Sequence, residues 1–219
     1  MINKIIKGVL AGFLIGMAGA MFLIAKSQGY NVIPALVFPV GLFLICIFSL
    51  NLYTGKIGYL FNKEKDIKVL DLLIMVLANF VGAVLFGLIF TALFKDNDII
   101  SATANNVAES KFGNLTFVNT MLVLLKSTLC GIFVYIAVYL FGKVESFGAK
   151  VLAIWIPIFT FVYLGLDHSI ANMFYMAAIN NYSLNAFILI IIAIIGNSIG
   201  AIIFDICLRF INDKEEQSS

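Results

Sequence analysis

The only histidine of the chain lies in Gly165–Met173, a stretch that reads GLDHSIANM between two apolar runs. A neutral imidazole offers one hydrogen-bond donor and one acceptor, and an unperturbed imidazole becomes cationic below a pH of ~6.5. Such groups inside apolar segments usually face a cavity or a partner, because burying them in hydrocarbon is costly. His168 is therefore predicted to line a path for a small solute. The structural alternative is a histidine bonded to Asp167 or to a carbonyl freed by an interrupted helix.

Three other polar residues, Asp167, Asn172 and Thr54, lie where a helix is expected to end or to be interrupted. Asp167 would repel an anion from such a path, so we expect it to cap the helix that resumes after the histidine. Asn172 follows His168 by one helical turn; it can satisfy freed backbone groups or touch the solute, and the structural role ranks first. Thr54 and Gly55 fit either a loop that exposes the hydroxyl or an ordinary helix end.

Two lysines lie at or within apolar segments. Lys126 stands in the middle of one segment, where a lysine must snorkel, pair with an acid or line water. Lys150 begins another segment, where a plain anchoring role is the simplest interpretation. Together they are expected to make the approach to a path electropositive.

The composition places these residues in a membrane protein. Of 219 residues, 62% are hydrophobic and 12% are charged, which is more apolar surface than a soluble domain of this size can cover. Each apolar segment is as long as the ~20 residues that a helix needs to cross ~30 Å of hydrocarbon. The segments do not show the alternation of polar and apolar residues that is typical of β-barrel strands. The predicted fold class is an all-α integral membrane protein with six transmembrane helices. The segments cover residues 8–25, 32–50, 70–94, 117–142, 151–179 and 184–211.

The distribution of basic residues predicts the orientation. With the N-terminus inside, ten basic residues fall on the inner side and three on the outer side, which places both termini in the cytoplasm. We expect a multi-pass protein of the cell's inner (cytoplasmic) membrane, with the first segment retained as a span rather than cleaved as a signal peptide. The inner set is Lys4, Lys7, Lys56, Lys63, Lys65, Lys68, Lys143, Lys150, Arg209 and Lys214, and the outer set is Lys26, Lys95 and Lys111.

Other classes of function find little support. Cys46, Cys130 and Cys207 lie far apart without metal-site spacing, so we expect buried thiols and no metal or other cofactor. An intramembrane enzyme would need a nucleophile with a base, or a metal cluster, and one histidine supplies neither. The dispersed basic residues give no indication of nucleic-acid binding. A water or glycerol channel would carry paired Asn-Pro-Ala loops, which this sequence lacks.

An internal repeat is the second signal. The pattern N-x-x-G-A occurs at Asn79 and again at Asn197, 118 residues later. A similar interval relates Asn51–Gly55 to His168–Asn172, so the chain divides into halves of about 1–100 and 101–219 within one transmembrane domain. Three spans per half make the repeats inverted, an architecture that transporters share, with the site near the midplane. Chance reuse of Gly, Ala and Asn is the alternative.

Stripes of small residues accompany the repeat at a spacing of four. Stripes of this kind let helix backbones approach closely, and we expect the contacts to lie within the subunit rather than between subunits. The stripes are Gly8/Gly12/Gly16/Ala20, Ala78/Gly82 and Gly196/Gly200.

The chain resembles the formate/nitrite transporter family over nearly its whole length. The most specific piece is Lys150–Met176, KVLAIWIPIFTFVYLGLDHSIANMFYM, which is similar to the family's signature around its central histidine. Leu50–Gly55 resembles the loop that breaks the second span, and Gly196–Ala201 resembles the signature of the last span. The resemblance implies an aquaporin-like bundle with broken helices 2 and 5. It also implies a homopentamer in the lipid bilayer, with one pore per subunit for small anions of weak acids.

Position by position, the resemblance implies a pore centre, two apolar constrictions and a basic entrance. The pore centre comprises His168, Thr54 and Asn172. One constriction comprises Phe38 and Phe161, and the other comprises Leu42, Leu52 and Tyr53. The entrance comprises Lys150, and Lys126 lies where members of the family often carry a basic residue.

Three positions depart from the formate-channel members. Where this chain has Tyr53, Asp167 and Gly131, those members tend to have Phe, Glu and Asn respectively. The departures favour the hydrosulfide branch of the family (HS⁻/H₂S), with formate or nitrite as the alternative substrate. In the implied mechanism, basic entrances concentrate the anion and apolar constrictions oppose the bare ion. His168 then gives the solute a hydrogen bond or a proton.

Overall fold

The computed structural model describes residues 1–62 and 65–218, with side chains through Asn212. Over these residues the chain is helical, as predicted. Lys63, and the side chain of Lys214, lie outside the described part. A 3₁₀ helix spans Ile57–Phe61. The described α-helices are α1 (Ile2–Ser27), α2 (Ile33–Val37), α3 (Pro39–Ile47), α4 (Tyr53–Lys56), α5 (Val69–Phe94), α6 (Asp98–Lys111), α7 (Phe117–Lys143), α8 (Phe147–Tyr163), α9 (Ser169–Ala178) and α10 (Leu184–Ser218).

Four helices in the described part of the chain are long and apolar enough to cross a membrane. They are α1, α5, α7 and α10, the last counted as Leu184–Asn212. Two further apolar segments, Ile33–Ile47 and Phe147–Tyr163, are shorter. Each is followed by a non-helical break and a second helix, α4 in the first case and α9 in the second.

The long helices pack in pairs, α1 against α5 and α7 against α10. Glycines bring their backbones into contact. A Cβ added to Gly82 would collide with the carbonyl oxygen of Val9, and one added to Gly200 would collide with that of Thr128. Only a residue without a Cβ permits this approach. The predicted contact of the small-residue stripes within one subunit is confirmed at these positions.

The two breaks have the same backbone geometry. Helix α3 ends before Ser49, whose φ is 51°, and α8 ends before Gly165, whose φ is 67°. A left-handed residue followed by a hydrogen bond back into the last turn is a Schellman motif, which ends a helix while satisfying its free carbonyls. The bonds that close the motifs run from Leu50 N–H to Ile45 O (2.9 Å) and from Leu166 N–H to Phe161 O (3.1 Å).

Helix α6 corresponds to none of the predicted apolar segments. It is amphipathic: Ile100, Ala104 and Val107 are buried, and the helix packs against α1 and α9. Asn97 caps it, with Oδ1 accepting from the N–H of Ile100 at 3.1 Å. The apolar face of the helix therefore holds it against α1 and α9.

The expectation of three buried thiols is wrong for Cys207. Cys130 is buried and Cys46 is partly buried, but Cys207 is exposed on α10. Its neighbours Ile203 and Ile206 are also exposed. A helix that faces lipid or another subunit carries an apolar outer surface, so apolar sequence context alone does not predict burial within the chain.

Candidate functional site

Asn79 of α5 holds the first break in place. Its Oδ1 accepts from the N–H of Tyr53 at 2.8 Å. Its Nδ2 donates to the carbonyls of Asn51 and Gly8, both at 2.8 Å. The side chain thus provides a partner for one backbone N–H at the start of α4 and for one backbone carbonyl in the break. Backbone groups that are not paired within a helix need such partners in an apolar environment.

Asn197 of α10 does the same for the second break. Its Oδ1 accepts from the N–H of Ser169 at 2.9 Å. Its Nδ2 donates to the carbonyls of Ser127 (2.8 Å) and Asp167 (3.0 Å). The two asparagines of the sequence repeat therefore occupy matching positions with matching partners.

His168 lies between the second break and helix α9, and both of its ring nitrogens are engaged. Nδ1 accepts from the N–H of Ala171 at 3.2 Å, which makes His168 the N-cap of α9. Nε2 lies 2.9 Å from Oγ1 of Thr54. A backbone N–H can only donate, so Nδ1 is the acceptor and the proton of the neutral ring resides on Nε2. The ring therefore donates toward Thr54, whose hydroxyl keeps its own hydrogen for a further acceptor.

The expectation that Asp167 caps α9 is wrong. The cap is the next residue, His168, because its Nδ1 reaches the free N–H of Ala171. Asp167 is buried and pairs instead with Lys111, whose Nζ lies 2.9 Å from Oδ1. Asn172 Nδ2 also lies within 3.4 Å of the same oxygen.

Apolar side chains surround the His168–Thr54 pair. The rings of Phe38 and Phe161 meet edge to face with centroids 5.9 Å apart. Phe161 also stacks on the imidazole, at a centroid distance of 5.9 Å and an interplanar angle of 18°. Leu42 and Leu52 are buried in the same apolar cluster. The structure thus brings both predicted leucines and both phenylalanines into one apolar cluster, and of these four side chains Phe161 is the one that stacks on the imidazole.

Tyr53 is placed differently from its predicted partners. Its hydroxyl lies 2.8 Å from Oγ of Ser198 on α10. Its ring belongs to a second apolar cluster, with Tyr59 and Tyr135. The side chain of Tyr53 therefore ties α4 to α10.

Two cavities approach the pair from opposite ends of α1. The first, which we name the Lys56 cavity, has a volume of about 500 Å³, and Lys4, Leu42, Leu52 and Gly55 are part of its lining. Lys4 and Lys26 are separated by 22 positions of α1, or roughly 33 Å along the helix axis. The second, the Lys111 cavity, has a volume of about 230 Å³ and is lined in part by Lys26, Phe38, Phe161, Lys111, His168 and Asn172.

Two buried polar atoms beside the histidine lack a hydrogen-bond partner among the described residues. They are Oγ of Ser169 and Oδ1 of Asn172. Asn172 lines the Lys111 cavity, and its Oδ1 is a buried acceptor whose hydrogen-bonding capacity is unused among the described residues.

The two lysines predicted at the entrance lie farther out. Lys150 places its Nζ 5.3 Å from the ring centroid of Phe141, and Phe141 lines the Lys56 cavity. Lys126 lies partly exposed on α7, on the same side of the helix as the exposed Leu122 and Leu129. Lysines that line the cavities directly are Lys4, Lys56 and Lys65 in the first and Lys26 and Lys111 in the second.

The amino-acid sequence matches the model of a known protein family. That family model, described as "Formate/nitrite transporter", covers residues 1–211 of the chain. The chain belongs to the formate/nitrite transporter family. As a family member it resembles the "Uncharacterized transporter YrhG" of Bacillus subtilis (strain 168), with 32% identity over 199 residues, 83% of this chain and 71% of the relative. It also resembles the "Formate channel BtFdhC" of Bacillus thuringiensis, with 31% identity over 157 residues, 68% of this chain and 59% of the relative.

A solved structure shares the fold of this family member. The "Pentameric formate channel with formate bound" superposes with a TM-score of 0.76 at 18% identity, over 99% of this chain and 97% of the other. At this identity the likeness is one of fold.

Sequence reasoning did not identify Lys111 as part of the site, nor Asn79 and Asn197 as the residues that hold the breaks. The repeated N-x-x-G-A pattern was the available signal for the asparagines. For Lys111 the sequence offered no comparable signal, because its partner Asp167 lies more than fifty positions away.

Proposed function

We propose that the chain forms a channel for small monovalent anions of weak acids, with Thr54 and His168 at the midpoint of the path. The observation that carries the proposal is the 2.9 Å contact between Thr54 Oγ1 and His168 Nε2. Lysines outnumber acids in the cavities that approach this contact from both ends of α1: the Lys56 cavity has three lysines against Asp66 and Asp71, and the described lining of the Lys111 cavity has two lysines and no acid. Basic entrances raise the local concentration of an anion, and the pair meets it with the hydroxyl hydrogen of Thr54.

Two apolar constrictions flank the midpoint in this proposal, Phe38 with Phe161 on one side and Leu42 with Leu52 on the other. An anion that loses its hydration shell between apolar side chains faces a cost of several kcal/mol or more. A neutral acid of the same size faces a much smaller one. The path therefore favours species that exchange readily between anion and acid.

We infer that His168 acts by donating its Nε2–H to Thr54 Oγ1, which directs the hydroxyl hydrogen of Thr54 to the solute. A second proton would have to sit on Nδ1, where the N–H of Ala171 already points, so protonation of the ring would break the cap of α9. The proton that converts the anion into its acid then comes from a water molecule in a cavity, and the hydroxide left behind exchanges with bulk solvent. The acid has a proton to donate, and the unpartnered Oδ1 of Asn172 is a suitable acceptor for it.

The same proposal includes the arrangement in the membrane. Segments α2–α3 with α4, and α8 with α9, form broken spans 2 and 5 of an inverted repeat of 3+3 spans. The matching Schellman turns and asparagine bonds in the two halves support this arrangement. We propose both termini in the cytoplasm, Lys126 and Lys150 as contributors to the basic field at the approaches, and a homopentamer of such subunits. The pentameric assembly of the structurally similar formate channel supports the last point.

Hydrosulfide is the first candidate substrate because of the departures at Tyr53, Asp167 and Gly131. The hydroxyl of Tyr53 forms a hydrogen bond with Oγ of Ser198. A Cβ at Gly131 would collide with the carbonyl oxygen of Asn197, so the Asn of formate-channel members would not fit this packing of α7 on α10. Formate or nitrite is the second candidate, favoured by the relative named as a formate channel.

Parallel flux assays test the proposal. The purified protein is reconstituted into liposomes, and the uptake of hydrosulfide, formate and nitrite is followed against protein-free liposomes. We expect uptake above the baseline for small weak-acid anions, with hydrosulfide fastest. A higher rate for formate or nitrite would select the second candidate, and baseline rates for all three would overturn the proposed function.

A further inference from the structure

A further cavity lies between the 3₁₀ helix and the last turns of α7 and α10, and we name it the Arg209 cavity. It has a volume of about 590 Å³. Its described lining carries three cations, Lys65, Lys143 and Arg209, against one acid, Asp205. A concave surface with an excess of positive charge attracts anions.

Asp205 does little to oppose an anion in this cavity, because both of its oxygens are already engaged. Its side chain is 1% exposed. Oδ1 accepts from the hydroxyl of Tyr135 at 2.8 Å, and Oδ2 accepts from Nε of Arg209 at 2.8 Å. The buried carboxylate is thus matched by one guanidinium, and the two lysines supply the excess charge.

The same ion pair fixes the guanidinium of Arg209, the only arginine of the chain. Asp205 lies one helical turn earlier on α10 and engages Nε. The two terminal nitrogens of an arginine carry four further N–H donors in a planar fork. Such a fork pairs with two oxygens of one phosphate group, and holding it in one orientation lowers the entropy lost on binding.

Three tyrosines hold the two lysines at the cavity. Nζ of Lys143 lies 5.5 Å from the ring centroid of Tyr139, and Nζ of Lys65 lies 5.9 Å from that of Tyr59. Both rings contact Tyr135, at centroid distances of 5.8 Å and 5.3 Å respectively. The aromatic cluster therefore keeps both ammonium groups beside the Arg209 cavity.

The cavity lies at one end of the membrane-spanning helices. Helix α7 ends at Lys143, and the part of α10 that can span a membrane ends at Asn212. Tyr135 and Asp205 bond across these helices at roughly 10–12 Å from their ends. Phospholipid headgroups lie at this depth, and basic pockets between spans bind them. The exposed ring of Phe61 lines the same cavity, so apolar surface for an acyl chain adjoins the charges.

We propose that the Arg209 cavity binds a phosphate group, with Arg209 as its bidentate partner and Lys65 and Lys143 as flanking charges. The position at the membrane boundary favours the phosphate of an anionic phospholipid, and a soluble phosphate offers the same chemistry. The described lining of this cavity includes neither His168 nor Thr54, so the site is separate from the anion path and does not depend on the proposed function.

The site adjoins the path at one residue that carries charge. Lys65 lines both the Arg209 cavity and the Lys56 cavity, as do Tyr59, Val138 and Gly142. A phosphate bound beside Arg209 therefore draws on one of the lysines of the proposed entrance.

Native mass spectrometry of the detergent-solubilised protein measures the affinity for phosphatidylglycerol. The test variant combines Lys65→Gln with Lys143→Gln and leaves the Arg209–Asp205 pair intact. We expect its affinity to fall roughly tenfold or more, since each lysine near an anionic headgroup contributes severalfold. Arg209→Lys keeps the charge but loses the fork, and should weaken binding by about threefold or more.

The matched control combines Lys68→Gln with Lys95→Gln. Both lysines are exposed and lie outside the described lining of the cavity, and the control removes the same net charge as the test variant. Its affinity should stay within about twofold of wild type. Size-exclusion chromatography checks that each variant is folded. Should Arg209→Lys fail to fold, the lysine variants decide the question alone.

Competition with inorganic phosphate identifies the source of the phosphate group. Phosphatidylglycerol that millimolar inorganic phosphate does not displace indicates a lipid site, and displacement indicates a site for soluble phosphate. Either result supports the proposal when the binding depends on Lys65 and Lys143. Equal affinity of the wild type, the test variant and the control would overturn it, and so would equal affinity for phosphatidylglycerol and phosphatidylcholine without any binding of inorganic phosphate.

Discussion

Nε2 of His168 and Oγ1 of Thr54 lie 2.9 Å apart although 114 positions separate the two residues in the chain. Thr54 lies in α4 and His168 is the N-cap of α9. Each of these helices begins just after a Schellman turn and is tied by an asparagine to a long neighbouring helix. The contact therefore joins the two halves of the chain at their corresponding breaks. Its geometry depends on both breaks being held in place.

Removing the hydroxyl of Thr54 tests the first half of this contact. Thr54→Val keeps the side-chain shape but loses the donor that we propose for the anion. A hydrogen bond to a charged group contributes about 1.5–3 kcal/mol, so flux should fall roughly ten- to hundredfold. Thr54→Ser should stay near wild type. Flux in liposomes measures both, and equal rates for Val and Ser would argue against a role for the hydroxyl.

Removing the amide of Asn197 should unfold the second break. Asn197→Ala leaves the N–H of Ser169 and the carbonyl of Asp167 without their partner, and each such buried group costs about 1–3 kcal/mol. We expect a marked fall in the thermal stability of the detergent-solubilised protein, with a similar fall for Asn79→Ala. Asn105→Ala, an exposed position on α6, is the control. Equal stability of all three variants would contradict the proposed role of the asparagines.

Close packing of α7 on α10 predicts a strong response to a single methyl group. Gly200→Ala places a Cβ against the backbone of Thr128, and overpacking of this kind destabilises by about 1–3 kcal/mol or more. Gly148→Ala is the matched control, since nothing lies within 4 Å of its added Cβ. Thermal unfolding should separate the two variants by several degrees. Coincident curves would mean that the helices are farther apart than the structure places them.

The constriction at Phe38 predicts a change in selectivity. Phe38→Ala removes the ring that meets Phe161 edge to face, which should widen the path and admit a bulkier anion such as acetate. Leu42→Ala should do the same for the other constriction. The ratio of acetate to formate flux is the measurement, and an unchanged ratio in both variants would show that these side chains do not limit the path.

Local signals in the sequence accounted for much of the architecture. Apolar segments of about twenty residues marked the long helices. The polar stretches Leu50–Gly55 and Gly165–Met173 lay at the two breaks. The repeated N-x-x-G-A pattern marked the positions of Asn79 and Asn197 without predicting their role. In the structure its asparagine ties a break and its glycine permits close helix packing in each half.

The remaining features depend on contacts between distant positions. Helix α6 carries too little apolar sequence to stand out among membrane segments, and its Lys111 meets Asp167 only after the chain has folded. Asp167 was expected to cap α9 because Asp is a frequent N-cap residue. The ring nitrogen of the next residue takes that role instead, a choice that depends on the backbone path through the break.

The central claim is that the Nε2–H of His168 serves the permeating species through the Thr54 hydroxyl to which it donates, beyond the role of the ring in capping α9. His168→Asn separates the two roles, since Asn is among the best N-cap residues but does not place a donor at the position of Nε2. Thermal stability should be close to that of the wild type. Flux of hydrosulfide, formate and nitrite into liposomes, measured across pH, should fall by roughly tenfold or more. Wild-type flux in a folded His168→Asn variant at every pH would contradict the account.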